Sequence, residues 1–304
     1  MNTKIFLIFN PAAGARSADA RLQAQLNSLP GDYTLLKTTA PGDAARLARE
    51  ACARERGPKR LIACGGDGTL GEVAGGAMDD PEALVGVWPC GSGNDYARLY
   101  GGEQRFLNLA RQLDAPAVPV DLVSVNDRIA INVVNLGLEA QAAATMLRFR
   151  HHPLLGGRRA YFLGVLDAIT SHLRTSCEIT ADGRPFHQGD LFTASFALGQ
   201  YIGGGYRCAP KAVNDDGLLD VCAILPFARL TLPRLLPIYK KGRHLSDELF
   251  KDRIRYGRAR AVTISTPAPA SLCLDGEIIS GNSFTLRVLP RAVRFILPPA
   301  ISAT

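Results

Sequence analysis

Leu61-Ile62-Ala63-Cys64-Gly65-Gly66-Asp67-Gly68-Thr69-Leu70-Gly71-Glu72-Val73 reads as a short strand that breaks into glycines around one carboxylate and resumes as a helix from about Leu70. Glycines at such a place let backbone N–H groups approach phosphate oxygens, because no Cβ stands between them. Asp67 repels phosphate by charge, so it makes sense facing a magnesium ion or orienting the loop. The plainer alternative is a tight strand-to-helix turn with no ligand.

A second segment weighs against that alternative. Pro89-Cys90-Gly91-Ser92-Gly93-Asn94-Asp95 follows the apolar run Leu84–Trp88 and again leads into a helix start. Two glycine-rich loops at consecutive strand ends of one α/β sheet face the same crevice. Neither has the G-x-G-x-x-G dinucleotide fingerprint or the Lys-Ser/Thr of a P-loop. The first strand, Lys4–Phe9, ends instead in Asn10-Pro11-Ala12-Ala13-Gly14. Nucleotide binding outside the two commonest motifs is the reading.

The chain has 304 residues, enough for two modest cores, with 47% hydrophobic and 21% charged residues. No stretch reaches the apolar length of a spanning helix, and the first residues run straight into a strand pattern, so no transmembrane segment and no secretory signal are expected. A cytoplasmic location follows. The seven cysteines are scattered without a C-x-x-C pair, which suggests neither zinc nor a disulfide framework. Cys90, in its glycine loop, could be exposed, but no histidine is nearby in sequence and it is read as a neighbour of the site. The net charge of +7 suits polyphosphates or an anionic membrane surface. No nucleic-acid-binding motif accompanies it.

Up to about Pro119, strands alternate with helices: Lys4–Phe9, a helix over Ala18–Asn27, Tyr33–Lys37, a helix from Gly42-Asp43 to Arg56, Arg60–Cys64 and Leu84–Trp88. That alternation predicts a parallel sheet with crossover helices, the α/β class. Beyond it the pattern is mostly strands. Val120–Val125 and Ile129–Asn135 read as a hairpin, with helices over about Glu139–Phe149 and Ala160–Leu173. Further strands are expected at Cys177–Thr180, Gln188–Phe196, Leu219–Ile224, Ala261–Ser265, Ser271–Leu274, Phe284–Val288 and Ala292–Leu297. The domain reading is 1–119, 120–291, and a terminal strand in 292–304 that returns to the first domain.

The whole ordered set resembles the bacterial diacylglycerol-kinase-like lipid kinases, relatives of sphingosine and ceramide kinases. It runs from Asn10-Pro11-x-x-Gly14 through Thr38, the two glycine loops, Asp121-Leu122, Gly203-Gly204-Gly205, Asp216-Gly217-Leu218-Leu219-Asp220 and Asp275-Gly276-Glu277. The first loop alone also fits NAD kinases. The resemblance implies a two-domain α/β protein, with an NAD-kinase-like nucleotide-binding domain and a β-sandwich-like second domain. It also implies an ATP- and magnesium-dependent kinase acting on a lipid hydroxyl at a membrane surface. Asn10, Thr38, Gly65, Gly66, Gly68, Thr69, Glu72, Gly91, Ser92 and Asn94 match nucleotide-contact positions. Asp67, Asp95 and Asp121 match carboxylates linked to catalytic magnesium. Asp216 matches a second, structural metal site completed by the carbonyls of Val213 and Leu218. Asp275 matches the general base, with Asp67 and Glu277 beside it in the catalytic set. A homodimer is left open as the assembly.

Residue by residue, plainer roles stand beside these. Asp275-Gly276 is also a strong hairpin-turn signal, and Asp215-Asp216-Gly217 could simply turn the chain. Basic residues around Pro153-Leu154-Leu155, and the clusters Lys240, Lys241, Arg243 and Lys251, Arg253, Arg255, could rest on an anionic surface or be solvated faces. An NAD-kinase-like enzyme and a catalytically silent nucleotide- or lipid-binding regulator are the competing functions.

Overall fold

The computed structural model describes residues 3–14, 17–29, 32–149 and 174–300. The expected helix at 160–173 and the basic segment around 150–159 lie outside the described residues. The chain divides into two compact units: 1–122 with 129–131 and 289–304, and 123–128 with 132–288.

The first unit is built on a parallel sheet. Strands β1 (Lys4–Phe9), β2 (Tyr33–Lys37), β3 (Lys59–Gly65) and β4 (Ala83–Pro89) pair in the order β4-β3-β1-β2. The end of the last strand adds to β4, with Arg294 opposite Leu84 and Phe295 opposite Val85. β1, β3 and β4 are buried on both faces over most of their length and read as nearly continuous apolar runs, while the edge strand β2 is half-buried to exposed. On one face Phe6, Ile8, Leu61, Ala63, Val85 and Val87 pack with Val73, Tyr96 and Phe295. On the other, Leu7, Phe9, Ile62, Cys64 and Trp88 pack with Leu22, Leu26 and Leu109. Trp88 is fully buried and donates its indole N–H to the Leu107 carbonyl at 3.0 Å. Helices α1 (Ser17–Leu26), α2 (Asp43–Arg54) and α3 (Asp67–Ala77) cross between strands. Gly76 lets α3 approach α2 closely, since a Cβ there would stand 2.3 Å from the Ala45 carbonyl oxygen.

Helix α3 begins at Asp67, three residues before the expected Leu70. Asp67, Gly68 and Thr69 are therefore its first turn. Cys90 is buried rather than open, because the loop after β1 packs over it. Burial holds its thiol pKa up at about 11, which makes it a small hydrophobe.

The second unit is antiparallel. β7 (Val133–Gly137), β10 (Thr193–Ala197), β11 (Leu219–Ile224), β12 (Ile254–Ala259), β13 (Ala261–Leu274) and β14 (Glu277–Ile296) pair in the order β12-β11-β10-β7-β13-β14. A hairpin of β8 (Thr175–Ala181) and β9 (Arg184–Leu191) adds to β13. The expected strand 188–196 is two strands, divided at Phe192. The expected pair 261–265 and 271–274 is one strand with a register shift between Ser265 and Ala270. The two expected terminal strands are likewise one. The expected hairpin partner 129–135 is interrupted, with β6 (Arg128–Ala130) ending before β7 begins. The edge strand β12 and a helix at Leu232–Lys240 were not foreseen. Among the described residues no helix is long and apolar enough to cross a membrane.

Candidate active site

In the first unit the loops after β1, β3 and β4 meet edge to edge. Asn10 donates through its side-chain amide to Thr69 Oγ1 at 3.1 Å, while its Oδ1 accepts the Ala12 N–H at 3.0 Å. Thr38 is buried at the end of β2, its N–H bonded to the Phe9 carbonyl. The Cys90 N–H bonds to the Gly65 carbonyl at 2.9 Å, which ties the β4 loop to the β3 loop. Here the glycines make contact between loops feasible. A Cβ on Gly91 would stand 2.5 Å from Gly66 Cα, and one on Gly14 would stand 1.8 Å from the Cys90 oxygen. Asn94 closes the second loop: it adopts positive φ, accepts the Gly91 N–H at 3.0 Å and returns a bond to the Gly91 carbonyl at 2.9 Å. Ser92 is exposed beside it.

Asp67 clamps the two loops together. Its Oδ2 accepts the Asp95 N–H and its Oδ1 the Tyr96 N–H, both at 2.9 Å. It thereby caps the first turn of α4 (Asp95–Leu99) from a different helix. Loss of surrounding water pushes the Asp67 carboxyl pKa up, against the pull of those two amides and of Arg98. Asp95 lies close by. A Cβ on Gly93 would be 3.0 Å from Asp95 Oδ2 and 3.4 Å from Asp67 Oδ2, so both carboxylates border that glycine. Arg98 balances them, with Nε 3.3 Å from Asp95 Oδ1. Asp121 is fully buried in β5 (Ala117–Val125), where Oδ1 accepts the Arg291 N–H at 2.7 Å.

Glu72 has a structural task. Its two oxygens accept the N–H groups of Gly42 and Ala44, each at 2.9 Å, and so cap α2. Neighbouring Asp43 accepts from Thr39 and Ala40, and these bonds with Arg46 hold its carboxyl far below the usual range.

Asp275 and Glu277 belong to the second unit. Asp275-Gly276 is a two-residue hairpin loop between β13 and β14 with φ of 50° and 96°, the positive values a type I′ turn demands. The turn aims the Asp275 carboxylate at the start of β7, where Oδ1 accepts from Asn132 N at 3.1 Å and Val133 N at 2.9 Å. Glu277 opens β14 opposite Leu274. Asn132 was not foreseen as a partner of Asp275. Its side chain donates to the Tyr201 carbonyl at 3.0 Å, and a Cβ on Gly199 would stand 2.0 Å from its Oδ1.

A second unforeseen group is Glu139, in the first turn of the helix at Leu138–Phe149. It bonds to the Tyr239 hydroxyl and accepts from Ser195 Oγ at 3.4 Å. Burial pushes its pKa up to about 7.

Magnesium suits one expected place better than the other. Around Gly93, two carboxylates border one glycine with an arginine beside them, and Asp67 spends its oxygens on backbone amides. That chemistry fits an ion held through water. Among the described residues no three His, Cys, Asp or Glu side chains gather to ligate a metal directly. At Asp216, one oxygen accepts the Leu218 N–H at 3.1 Å and the other meets the Arg258 guanidinium. A guanidinium thus lies on the carboxylate expected to serve the second metal site.

Residues 4–125 match the diacylglycerol kinase catalytic domain family, and residues 132–297 the YegS C-terminal NAD kinase beta sandwich-like domain. A Serratia proteamaculans protein named "Probable lipid kinase YegS-like" is 33% identical, over 96% of this chain and 93% of its own. The chain belongs to the YegS-like, diacylglycerol-kinase-like family of bacterial lipid kinases. The family extends to a Bacillus subtilis protein named "Diacylglycerol kinase", 29% identical over 89% of this chain and 88% of that one. A crystal structure of a diacylglycerol kinase from Bacillus anthracis shares this chain's fold, with a TM-score of 0.68, 20% identity and 98% of each chain covered.

Proposed function

We propose that this protein transfers the γ-phosphoryl group of ATP to the hydroxyl of a lipid, diacylglycerol or a similar one, with magnesium. The observation that carries the reading is the meeting of Asn10–Thr69, Gly66–Gly91 and the Asp67–Asp95 pair at adjoining strand ends. That arrangement offers closely approachable backbone and the N-terminus of α3 to phosphates, with carboxylates beside them. Bound magnesium would neutralise charge on the phosphate oxygens, and Asp67 and Asp95 would hold it through water. Thr69 is kept in place by Asn10. Asp275 would take the proton of the lipid hydroxyl as its oxygen bonds to phosphorus and the bond to ADP breaks. The amides of Asn132 and Val133 hold that carboxylate in one orientation.

The test is transfer of labelled phosphate from ATP to a total lipid extract, followed by identification of the product. A labelled lipid that needs magnesium is expected. Labelling of NAD and no lipid would replace the reading with an NAD kinase. Bound nucleotide without turnover on any acceptor would make the chain a regulator.

A further inference from the structure

The second unit carries most of the chain's excess charge in one stretch. Residues 227–255 hold eight Lys and Arg against three Asp and Glu, which is five of the seven net positive charges. All eight cations are exposed.

Two apolar side chains project from the same stretch. Leu230 is 93% exposed and Leu249 is 54% exposed, two of the three exposed large hydrophobics among the described residues. A single exposed leucine needs no explanation. These two are held on neighbouring tips. The Phe227 and Phe250 rings meet edge to face at 5.3 Å. The Leu225 N–H bonds to the Arg253 carbonyl at 2.7 Å, and the Arg253 guanidinium bonds back to the Pro226 carbonyl at 3.1 Å and covers the Phe227 ring. The segments just before Leu230 and just after Leu249 are thus one packed unit. Arg229, Arg234 and Lys251 flank the projecting leucines in sequence. Beneath them the helix at Leu232–Lys240 buries Leu232, Leu235 and Tyr239 and leaves its basic residues outside.

We infer that this tip is the surface by which the protein docks on an anionic lipid bilayer, with Leu230 and Leu249 entering the interface and the cations lying against headgroup phosphates. The inference rests on the lipid-kinase reading for its purpose and names the partner surface of that activity. Charge complementarity selects an anionic leaflet over a neutral one. The leucines select a bilayer over a rigid polyanion, since only a bilayer offers an apolar layer beneath its charges.

Cosedimentation of the full chain with phosphatidylcholine vesicles, with and without phosphatidylglycerol, at low and physiological salt, tests this directly. Binding should require phosphatidylglycerol and weaken as salt rises. Leu230→Ser with Leu249→Ser should lower it by about tenfold or more, and Arg234→Glu with Lys251→Glu by a similar factor, because each pair removes one half of a joint apolar and electrostatic contact. Both pairs are exposed, so unchanged melting temperatures should accompany the loss. Undiminished binding in either folded variant, equal binding to neutral vesicles, or binding to heparin with none to vesicles would overturn the inference. Vesicle binding is read without turnover. Phosphoryl transfer to a dispersed short-chain diacylglycerol should stay at the parent rate in the leucine variant. A parent that docks but transfers phosphate to no lipid would sink the kinase reading and leave the docking surface standing.

Discussion

Arg258 bridges Asp216 and Asp220: its terminal nitrogen meets the Asp216 carboxylate, and its Nε lies 3.3 Å from Asp220 Oδ2. Tyr256 adds its hydroxyl to Asp220, which is fully buried. Burial raises the Asp220 pKa to about 6 even with that arginine beside it. A guanidinium can serve two carboxylates at once because its donors form a planar fork.

Replacing Arg258 with Met should therefore destabilise the second unit, by about 1–2 kcal/mol once partial exposure of the pair is allowed for. Thermal unfolding in EDTA and in magnesium should show the same loss. A magnesium-dependent gain in the parent that Asp216→Asn abolishes would instead place a metal at Asp216.

Asp275→Asn should leave nucleotide binding intact and reduce phosphoryl transfer by about 100-fold or more, the usual scale for losing a general base. The substitution keeps an oxygen for the Val133 N–H, so the hairpin should stay folded. Isothermal titration with a non-hydrolysable ATP analogue and a lipid-labelling assay read the two effects separately. Near-parent turnover would remove Asp275 from the chemistry.

Gly91→Ala should force apart the loops after β3 and β4, because the added methyl meets Gly66 backbone rather than a flexible side chain. The expected cost is about 1–3 kcal/mol of stability, as for other overpacked sites. Nucleotide affinity should fall with it. Gly204→Ala is a useful control: a Cβ there has open space, though positive φ adds backbone strain. Its stability loss should come without a loss of nucleotide affinity.

Glu139 predicts a pH dependence with a definite sign. Its folded pKa of about 7 exceeds the ordinary 4.5, so the folded chain keeps a proton that the unfolded chain releases. This contribution is complete below pH 4.5 and is lost as pH rises through 7. Glu139→Gln should flatten that fall by up to roughly 3 kcal/mol, the linkage value for such a shift. Buried His244, held down at about 4, works in the opposite direction over pH 4 to 6.5. The parent-minus-variant difference in denaturant unfolding between pH 5 and 7.5 isolates Glu139, and an unchanged slope would refute the assignment.

How much of this was legible depended on whether a residue's partners lay close in sequence. Lys4–Phe9, Tyr33–Lys37 and Leu219–Ile224 occupy the expected positions, because apolar runs bounded by turn residues declare themselves. The edge strand Ile254–Ala259 has one side open to solvent and carries Arg255 and Arg258, so it lacks the apolar signature. Pro290 and Arg291 divide β14 in sequence, yet the strand continues, with Arg291 at positive φ and its N–H taken by Asp121. The glycine loops announced themselves as loops. That they are packed glycine against glycine was not readable from their spacing. Asn132 meets Asp275 across 143 positions and Glu139 meets Tyr239 across 100, and no local pattern encodes either contact.

Trp88 is the chain's only tryptophan, and it is the penultimate residue of the strand that delivers the Cys90–Asn94 loop. Its indole is sealed in the first unit's core, hydrogen-bonded to Leu107 and overlaid by Arg21 at 5.4 Å. The protein therefore contains its own optical probe. Selective excitation of the indole should give a blue-shifted emission that reports melting of the nucleotide-binding half alone, against a far-ultraviolet dichroism signal that averages both halves. Unfolding curves from the two signals should coincide if the halves melt together and separate if they do not.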